Sequence, residues 1–245
     1  MRWREHEGVR WLEAELPGAR AAFTTRLGGV SDGPYESLNL GWLTDDEPAM
    51  VRVNRELLAR ALGRRSEDFL VGRQVHGAEL AWHDGVQADD PYMNPVGAPE
   101  VDAHATAEAG LAPMVIVADC LPVALAGPSG VAMLHCGWRG LAANLIAKGA
   151  RAVEATAAAI GPGIGPCCYE VGDEVRARFA DLGPDVVAGR NLDLPEIAAR
   201  QLEAAGVMEI ERAGECTSCN PELFFSHRRD AGKTGRQAGV IWRES

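Results

Sequence analysis

Three short segments carry the side chains best suited to chemistry, and each lies at the end of an apolar stretch. The segment 74–77 supplies the imidazole of His76, Asp119-Cys120 supplies a thiol beside a carboxylate, and His135 supplies a second imidazole. A catalytic zinc ion takes three protein ligands and keeps a fourth position open for water or substrate, and one Cys with two His is an ordinary ligand set. These residues could therefore supply the ligands of one zinc site.

The separation between the three segments leaves other interpretations open. Compact zinc motifs place their ligands a few residues apart, and these three do not. Cys120 as a nucleophile with His135 as its base would also suit a cysteine hydrolase. A His at a strand end can also be only a hydrogen-bonded residue.

The remaining cysteines offer a weaker signal. Cys216 and Cys219 form a C-x-x-C pair, which can be a redox pair or half of a zinc knuckle. Because no second C-x-x-C pair is present, a structural role is favoured. Cys167 and Cys168 are adjacent in the chain and can hardly form a disulfide with each other without strain.

Composition bounds the class of protein. A chain of 245 residues with 47% hydrophobic content can bury a single core, so one domain over residues 1–245 is expected. A formal net charge of -11 disfavours nucleic-acid and membrane-surface binding, and the scattered arginines suit a small anion instead. The charged amino-terminal segment lacks the apolar core of a signal peptide, so we expect a cytoplasmic protein. We also expect a monomer or a weak homodimer.

Hydrophobic periodicity predicts the elements that must position these side chains. Helices are predicted over 48–63, 140–160, 171–182 and 194–205, and strands over 21–30, 71–80, 111–125 and 131–135, with a surface loop over 87–100. The run 111–125 is interrupted at Asp119-Cys120. Strands and helices mix without a regular βαβ alternation, so we expect an α/β or α+β architecture with mixed sheets.

Seven ordered blocks of this sequence resemble the bacterial laccase-domain family. They are FTTRLGGVSDGPYESLNLG (23–41), DDEPAMVRVNRELL (45–58), QVHG (74–77), ADCLPV (118–123), HCGWRGL (135–141), IGPGIGPCCYEVG (160–172) and FFSHRRDAGKTGRQAGV (224–240). Members have been called multicopper polyphenol oxidases, purine nucleoside phosphorylases and peptidoglycan editing factors. The resemblance implies mixed sheets flanked by helices in α/β/β/α layers, and it carries the zinc ligands over to His76, Cys120 and His135.

The activity that the resemblance implies is phosphorolysis of adenosine, inosine, guanosine and methylthioadenosine to the base and ribose 1-phosphate. Adenosine deaminase activity is implied in the same site. Phosphorolysis needs an anionic nucleophile below an oxocarbenium-like sugar. Arg26, followed by Gly28-Gly29, is expected to cradle that phosphate, and Arg139 to clamp it. Arg228 and Arg229 are further candidates, for which surface ion pairs are an equal alternative.

Two more residues are expected to act in this site. Deamination needs a carboxyl group to move protons at a zinc-activated water, and Asp119 beside Cys120 is the candidate. If residues 119 and 120 lie on a strand, their side chains point to opposite faces, and Asp119 would then orient a ligand or pair with an arginine. Gln74 shares the strand face of His76 and is expected to contact substrate.

Two alternatives come from the other names of the family. A cysteine or zinc amidase that edits peptidoglycan precursors would use the same Cys and His residues. A copper polyphenol oxidase needs many histidines, and this chain has six with no His-x-His pair, which argues against it. Cys136 stands where alanine is usual in the family and His227 where tyrosine is frequent, and neither is assigned a role.

Overall fold

The backbone forms two large β-sheets in the computed structural model, which describes residues 1–244. The first sheet contains β1 (Arg2–His6), β2 (Val9–Leu16), β3 (Ala19–Thr24), β4 (Phe69–Leu70), β7 (Ala112–Val117) and β14 (Gln237–Arg243). The second contains β5 (Leu80–His83), β6 (Ala103–Thr106), β8 (Leu121–Gly127), β9 (Gly130–Cys136), β10 (Ala157–Ile160) and β13 (Glu209–Arg212). A short hairpin, β11 (Val187–Ala188) with β12 (Asn191–Leu192), belongs to neither.

Both sheets are mixed. The first has the order β1-β2-β3-β14-β7-β4 and is antiparallel except where β4 runs parallel to β7. The second has the order β13-β10-β8-β9-β6-β5, with parallel pairs only at its two edges. The consecutive strands β7 and β8 belong to different sheets, so the chain crosses from the first sheet to the second at residues 118–120.

Helices cover the outer face of each sheet. The helix α1 (Pro48–Ala61) packs on the first sheet. On the second sheet lie α2 (Trp138–Ala142), α3 (Leu145–Val153), α4 (Asp173–Ala177) and α5 (Leu194–Ala204). The α/β/β/α layering and the mixed sheets flanked by helices are therefore confirmed. Within residues 1–244, no helix has the length and apolar character that crossing a bilayer requires.

Alternation along the strands divides the apolar side chains among three cores. In β7, Val115 faces the second sheet and Met114 faces α1. In β9, Met133 lies between the sheets while Leu134 and Cys136 face the helices. Strands that bury both faces read as continuous apolar runs, because no position is left for solvent-facing residues. This is why the sequence shows 111–125 as one run although it forms two strands.

Several predicted elements are confirmed. The helices over 48–63 and 194–205, the strand over 131–135 and the non-regular surface segment over 87–100 match the structure to within a few residues. The strand predicted over 21–30 ends at Thr24. The helix predicted over 171–182 is shorter, because the chain leaves α-helical geometry near Phe179, whose ring is buried beside the second sheet.

The single helix predicted over 140–160 is wrong. Asn144 and Glu154 adopt left-handed backbone conformations, with φ of 60° and 52°, and the run breaks into α2, α3 and then β10. Residues Ala157 and Ala159 face the first sheet, and Ala158 faces the helices. Burial on both faces of a central strand therefore overrides the helix propensity of alanine.

The strand predicted over 71–80 is also wrong. Only β4 before it and β5 after it are strands, and the segment between them is an irregular loop. His76 has a φ of 59°, which is incompatible with a strand. The backbone of this loop is shaped by hydrogen bonds to a buried carboxylate, described below.

Close contact between the sheets generates a stability prediction. A Cβ on Gly239 in β14 would lie 2.5 Å from Pro122 Cβ and 3.0 Å from Met133 Sδ of the second sheet. We expect Gly239→Ala to lower the free energy of unfolding by about 1–3 kcal/mol, because the sheets must move apart to admit the methyl group. Equilibrium urea unfolding measures the difference. Gly110→Ala is the matched control, since nothing lies within 4 Å of its Cβ position; equal losses in the two variants would contradict this packing.

Candidate metal and active site

The crossing between the sheets places Cys120. Strand β7 ends at Val117, and the chain turns through Asp119, whose φ is 88°, before β8 begins at Leu121. Residues 119 and 120 therefore do not lie on a strand, and their side chains need not point to opposite faces. The backbone carbonyl of Asp119 accepts a hydrogen bond from Ile164 N at 2.8 Å, which fixes the turn against the segment after β10.

His135 occupies the next-to-last position of β9. It stands opposite Pro122 of β8, one residue from the strand end that leads into α2. The alternation of the strand sends the His135 side chain toward the first sheet and sends the buried Cys136 toward the helices. Cys136 therefore lies on the opposite face of β9 from His135.

His76 is held by the loop before β5. The backbone N–H groups of Val75, His76 and Gly77 all donate to the carboxylate of Asp102, at 3.2, 2.9 and 2.7 Å. Three successive donors converge on one anion only when the backbone curls around it. This contact explains both the positive φ of His76 and the loss of the predicted strand.

Asp102 links two of the candidate ligands. Its side chain is fully buried, and besides the loop it contacts His135, with Nδ1 to Oδ1 at 2.8 Å. Burial alone would raise the pKa of this carboxyl, but the hydrogen bonds from His135 and the backbone outweigh burial and lower it. A carboxylate on Nδ1 leaves Nε2 as the ligand nitrogen, and it orients the ring.

The three predicted metal-binding residues come together. One ligating atom from each of His76, Cys120 and His135 lies within 4.8 Å of the others, and the imidazole centroids are 4.9 Å apart. Gly137 allows this approach, because a Cβ there would lie 2.9 Å from the sulfur of Cys120. One thiol and two imidazoles at this spacing can hold a metal ion, with a coordination position left for another ligand.

The charges of this group favour a thiolate. Burial opposes ionisation of Cys120, but the charge of His135 and hydrogen bonds from both imidazoles outweigh it and lower the pKa of the thiol to about 6. For His135, burial is likewise outweighed by the Cys120 thiolate and by Asp102, which raise its pKa to about 9. The thiolate that a metal requires is thus already stabilised by its neighbours.

These ligands open onto a cavity of about 470 Å³. One part of its wall is apolar and comes from the first sheet and nearby loops: Trp42, Val71, Pro91, Pro95, Met114, Ile116 and Val117. The other part is polar and surrounds the metal-binding group: Asp119, Arg139, Tyr169, His227, Arg228 and Arg236. An apolar recess with a few convergent polar groups is the usual form of a small-molecule site.

Five arginines line the cavity, and three of them, Arg139, Arg228 and Arg236, give it a local positive charge although the chain has a net charge of -11. Arg139 lies over the Trp138 ring at 4.5 Å, and Arg228 lies over Tyr169 at 5.0 Å. Burial lowers the pKa of Arg236, whose guanidinium donates to backbone carbonyls. Within residues 1–244, none of the three forms an ion pair with a carboxylate. They are therefore suited to an anionic ligand.

Some of the other predicted site residues line the cavity, and some do not. Gln74 and Asp119 line the cavity, but their polar groups are engaged by the protein. The Gln74 side-chain amide donates to Ile116 O and accepts from Ile116 N, at 2.7 Å each, and so pairs with β7 as a neighbouring strand would. The Asp119 carboxylate, 7% exposed, accepts from Thr217 Oγ1 at 2.6 Å and from Arg228 N at 2.7 Å.

Arg26 and Arg229 lie outside the residues that line the cavity. The Arg26 guanidinium donates to two backbone carbonyls, including Pro221 O at 3.0 Å, and covers the ring of Phe225. Arg229 pairs with Asp230 and donates to backbone carbonyls as well. Both arginines therefore hold loops together instead of facing the metal-binding group.

Sequence reasoning missed four residues of this site. Asp102, Tyr169, Arg236 and Trp42 were given no role, although each contacts the ligands or lines the cavity. For Arg236 a signal existed, since it belongs to the densest basic cluster near the end of the chain. For Asp102 no local pattern was available, because its partners are 25 to 33 residues away in the sequence.

Comparison with known proteins gives a consistent set of relatives. Residues 20–244 match the family model described as multi-copper polyphenol oxidoreductase laccase. A purine nucleoside phosphorylase of Streptomyces coelicolor is 41% identical over 239 residues, which cover 92% of this chain and 96% of that protein. A purine nucleoside phosphorylase of Deinococcus radiodurans is 42% identical over 249 residues, covering 96% and 93%.

Solved structures share the whole fold. A hypothetical protein YfiH of Bacillus licheniformis superimposes with a TM-score of 0.89 at 31% identity, and the match covers 99% of each chain. YlmD of Geobacillus stearothermophilus superimposes with a TM-score of 0.86 at 37% identity, covering 99% of this chain and 98% of that one. The two-sheet architecture described above is therefore that of these proteins.

The contact between Asp102 and His135 predicts the metal affinity. We expect Asp102→Asn to weaken zinc binding by roughly 10–100-fold, because the imidazole loses the carboxylate that orients it and raises its basicity. Competition with a chromophoric chelator measures the change. Asp89→Asn makes the same chemical change at an exposed loop position and should bind zinc as the unmodified protein does; unchanged affinity in both variants would remove Asp102 from the metal site.

The lowered pKa of Cys120 predicts the pH dependence of its alkylation in metal-free protein. The thiolate is the reactive form, so iodoacetamide should modify Cys120 half-maximally near pH 6 and more slowly as the pH falls below that value. An ordinary thiol would have its midpoint at about pH 8.5. Mass spectrometry of the Cys120 peptide gives the rate, and added zinc should suppress it. A midpoint at the ordinary value would show that the imidazoles do not stabilise the thiolate.

Proposed function

This chain belongs to the multi-copper polyphenol oxidoreductase laccase family, and from that premise we propose that it is a zinc-dependent purine nucleoside phosphorylase. The observation that carries the proposal is the shared cavity. A Cys and two His with metal-binding geometry line the same recess as three arginines and an apolar wall. Relatives named purine nucleoside phosphorylase, matched over nearly their whole length, support the reaction.

The donor set fits zinc. One thiolate with two imidazoles suits zinc or copper and disfavours magnesium and calcium, which take oxygen ligands. Within residues 1–244, His76, Cys120 and His135 form the single His-containing group close enough to share a metal, whereas a multicopper oxidase needs several. We therefore assign zinc to these three residues, where it would supply a Lewis acid to the bound nucleoside.

The arginines are proposed to hold the phosphate. Arg139, Arg228 and Arg236 present guanidinium groups to the cavity, and two of them are stacked on aromatic rings that limit their motion. Because Arg26 does not line the cavity, we assign phosphate binding to these three side chains instead of to Arg26. Fixed cations beside the sugar would orient the attacking oxygen toward C1′, where the bond to the base breaks as the bond to phosphate forms.

The apolar wall is proposed to hold the purine. Trp42 is fixed by a hydrogen bond from Nε1 to Tyr92 O at 3.0 Å, and Met114 and Ile116 project from β7 beside it. A planar base gains from contact with flat, apolar surfaces and leaves the ribose near the charged half. The preference among adenosine, inosine, guanosine and methylthioadenosine would be set by this wall.

Adenosine deamination is the second part of the proposal. Among the described residues that line the cavity, Asp119 is the one carboxylate, and a deaminase needs a group that moves protons. Both oxygens of Asp119 accept hydrogen bonds, so its first role is to position the Cys120 turn and Arg228. A proton at this site can also move through His135, which is backed by Asp102.

One observation favours a second candidate function. Asp102, His135 and Cys120 form a chain of hydrogen bonds, which without metal resembles the acid, base and nucleophile of a cysteine hydrolase. An amidase acting on peptidoglycan precursors would use Cys120 to attack a carbonyl. Bound metal occupies the thiolate, so the two functions require opposite metal states of the same residues.

A product assay tests the phosphorylase. Zinc-loaded protein incubated with inosine and phosphate should release hypoxanthine and ribose 1-phosphate, and release should depend on phosphate. Adenosine should also yield inosine without phosphate. Arg228→Ala should lower kcat/KM for phosphate by roughly 10-fold or more, because a hydrogen bond from a charged donor is lost. Arg151→Ala, at an exposed position on α3, should leave it unchanged.

His76→Ala should abolish both reactions, whereas His6→Ala on the exposed strand β1 should abolish neither. Chromatography of the bases and phosphorus NMR of the sugar phosphate identify the products. The absence of base release from all four nucleosides by zinc-loaded protein would reject the proposal. Amide hydrolysis by metal-free protein, lost in Cys120→Ser, would replace it with the cysteine hydrolase.

A further inference from the structure

A second group of thiols lies outside the cavity. Cys167 and Cys168 belong to the turn that follows β10, and Cys216 and Cys219 belong to the turn that follows β13. Although 51 and 52 residues separate Cys219 from the first pair, all four sulfur atoms lie within 4.8 Å of one another. The partner of the C-x-x-C pair is thus the adjacent Cys-Cys pair, which a search for a second C-x-x-C cannot find.

The spacing of the sulfur atoms fits one shared ion. Cys219 Sγ lies 3.4 Å from Cys167 Sγ and 3.4 Å from Cys168 Sγ. Four thiolates at the usual zinc–sulfur distance, arranged as a tetrahedron, are separated from each other by about 3.8 Å. A disulfide would instead single out one partner at about 2.0 Å and leave the others apart.

Disulfides account poorly for this group. Cys219 lies equally close to two sulfur atoms, so no unique pair is selected. Cys167 and Cys168 are neighbours in the chain and cannot bridge each other without strain. Two of the thiols are exposed and two are half-buried, so a metal ion could enter from solvent.

The surrounding backbone is adapted to sulfur. Gly165 N donates to Cys216 Sγ at 3.2 Å, and a Cβ on Gly165 would lie 3.5 Å from Cys167 Sγ and 3.4 Å from Cys216 Cβ. The two turns are held together by a backbone hydrogen bond from Thr217 N to Gly163 O at 2.9 Å. Hydrogen bonds to sulfur from outside the ligand set are the usual support of thiolate ligands.

We propose that Cys167, Cys168, Cys216 and Cys219 bind a second zinc ion in a closed, structural site. Four protein ligands leave no open position, so this ion would take no part in nucleoside chemistry. The four thiols lose their protons to solvent on binding, and the two turns become cross-linked. This proposal is independent of the reaction assigned to the cavity.

The cross-link would stabilise one wall of the cavity. The turn that holds Cys216 also holds Thr217, whose hydroxyl donates to Asp119, the neighbour of Cys120. The turn that holds Cys168 is followed directly by Tyr169, which lines the cavity. Loss of the second ion would therefore loosen residues that position the first site without removing any of its ligands.

Metal content tests the proposal. Full-length protein expressed with added zinc and purified under reducing conditions should hold two zinc ions per chain by inductively coupled plasma mass spectrometry. The variant Cys216→Ser/Cys219→Ser should hold one, and His76→Ala should also hold one, because each removes a different site. Ser218→Ala, in the same turn, is the matched control and should hold two.

Alkylation provides a measurement that needs no variant. In zinc-loaded protein the four cysteines should resist iodoacetamide, and a strong chelator should expose all four together. A single zinc ion in both the unmodified protein and Cys216→Ser/Cys219→Ser would overturn the site. A disulfide among the four cysteines in reduced protein, or iron in place of zinc, would overturn it as well. Failure of the phosphorolysis assay would leave the expected zinc count unchanged.

Discussion

The site depends on one buried carboxylate. Asp102 is fully buried, and an unpaired charge there would cost several kcal/mol, so its partners are fixed by electrostatics. Three of those partners are consecutive N–H groups of the loop that carries His76, and the fourth is the imidazole of His135. One anion therefore determines the backbone path beside one metal-binding residue and the ring orientation of another.

The two-sheet architecture places the third candidate metal-binding residue, Cys120. A chain that passes from the first sheet to the second must turn sharply, and Asp119 makes that turn with a left-handed backbone. Its carboxylate accepts hydrogen bonds from Thr217 and from the backbone N–H of Arg228, which hold the turn against two other segments. Cys120 thus reaches His135 from the turn that precedes the neighbouring strand β8, while Gly137 leaves room for the sulfur. The candidate metal-binding group therefore combines a turn at this junction, the end of β9 and the loop that carries His76.

The cavity combines an acidic protein with a locally cationic site. Surface carboxylates set the net charge of -11, but Arg139, Arg228 and Arg236 at the cavity are held by carbonyl oxygens and aromatic rings. Because none of these three pairs with a carboxylate in the described part of the chain, they retain their charge for a ligand. The same segments that carry Tyr169 and Arg228 are joined through the turns of the four cysteines. The cavity arginines, the candidate metal-binding group and the thiol group therefore share a common scaffold.

The sequence by itself determined the identity of the Cys and the two His that come together, the mixed α/β class and the helices at 48–63 and 194–205. Through its resemblance it also indicated the α/β/β/α layers. These follow from local periodicity and from motifs that are read along the chain. Only the tertiary structure decided that 71–80 is a loop and that 157–160 is a strand. It also decided that the side chains of Gln74 and Arg26 donate hydrogen bonds to backbone carbonyls of the chain, and that Asp102 and the four cysteines join segments that are distant in the sequence. The physical reason is that burial and hydrogen bonding between residues far apart in the chain override local propensity, and no local pattern records those partners.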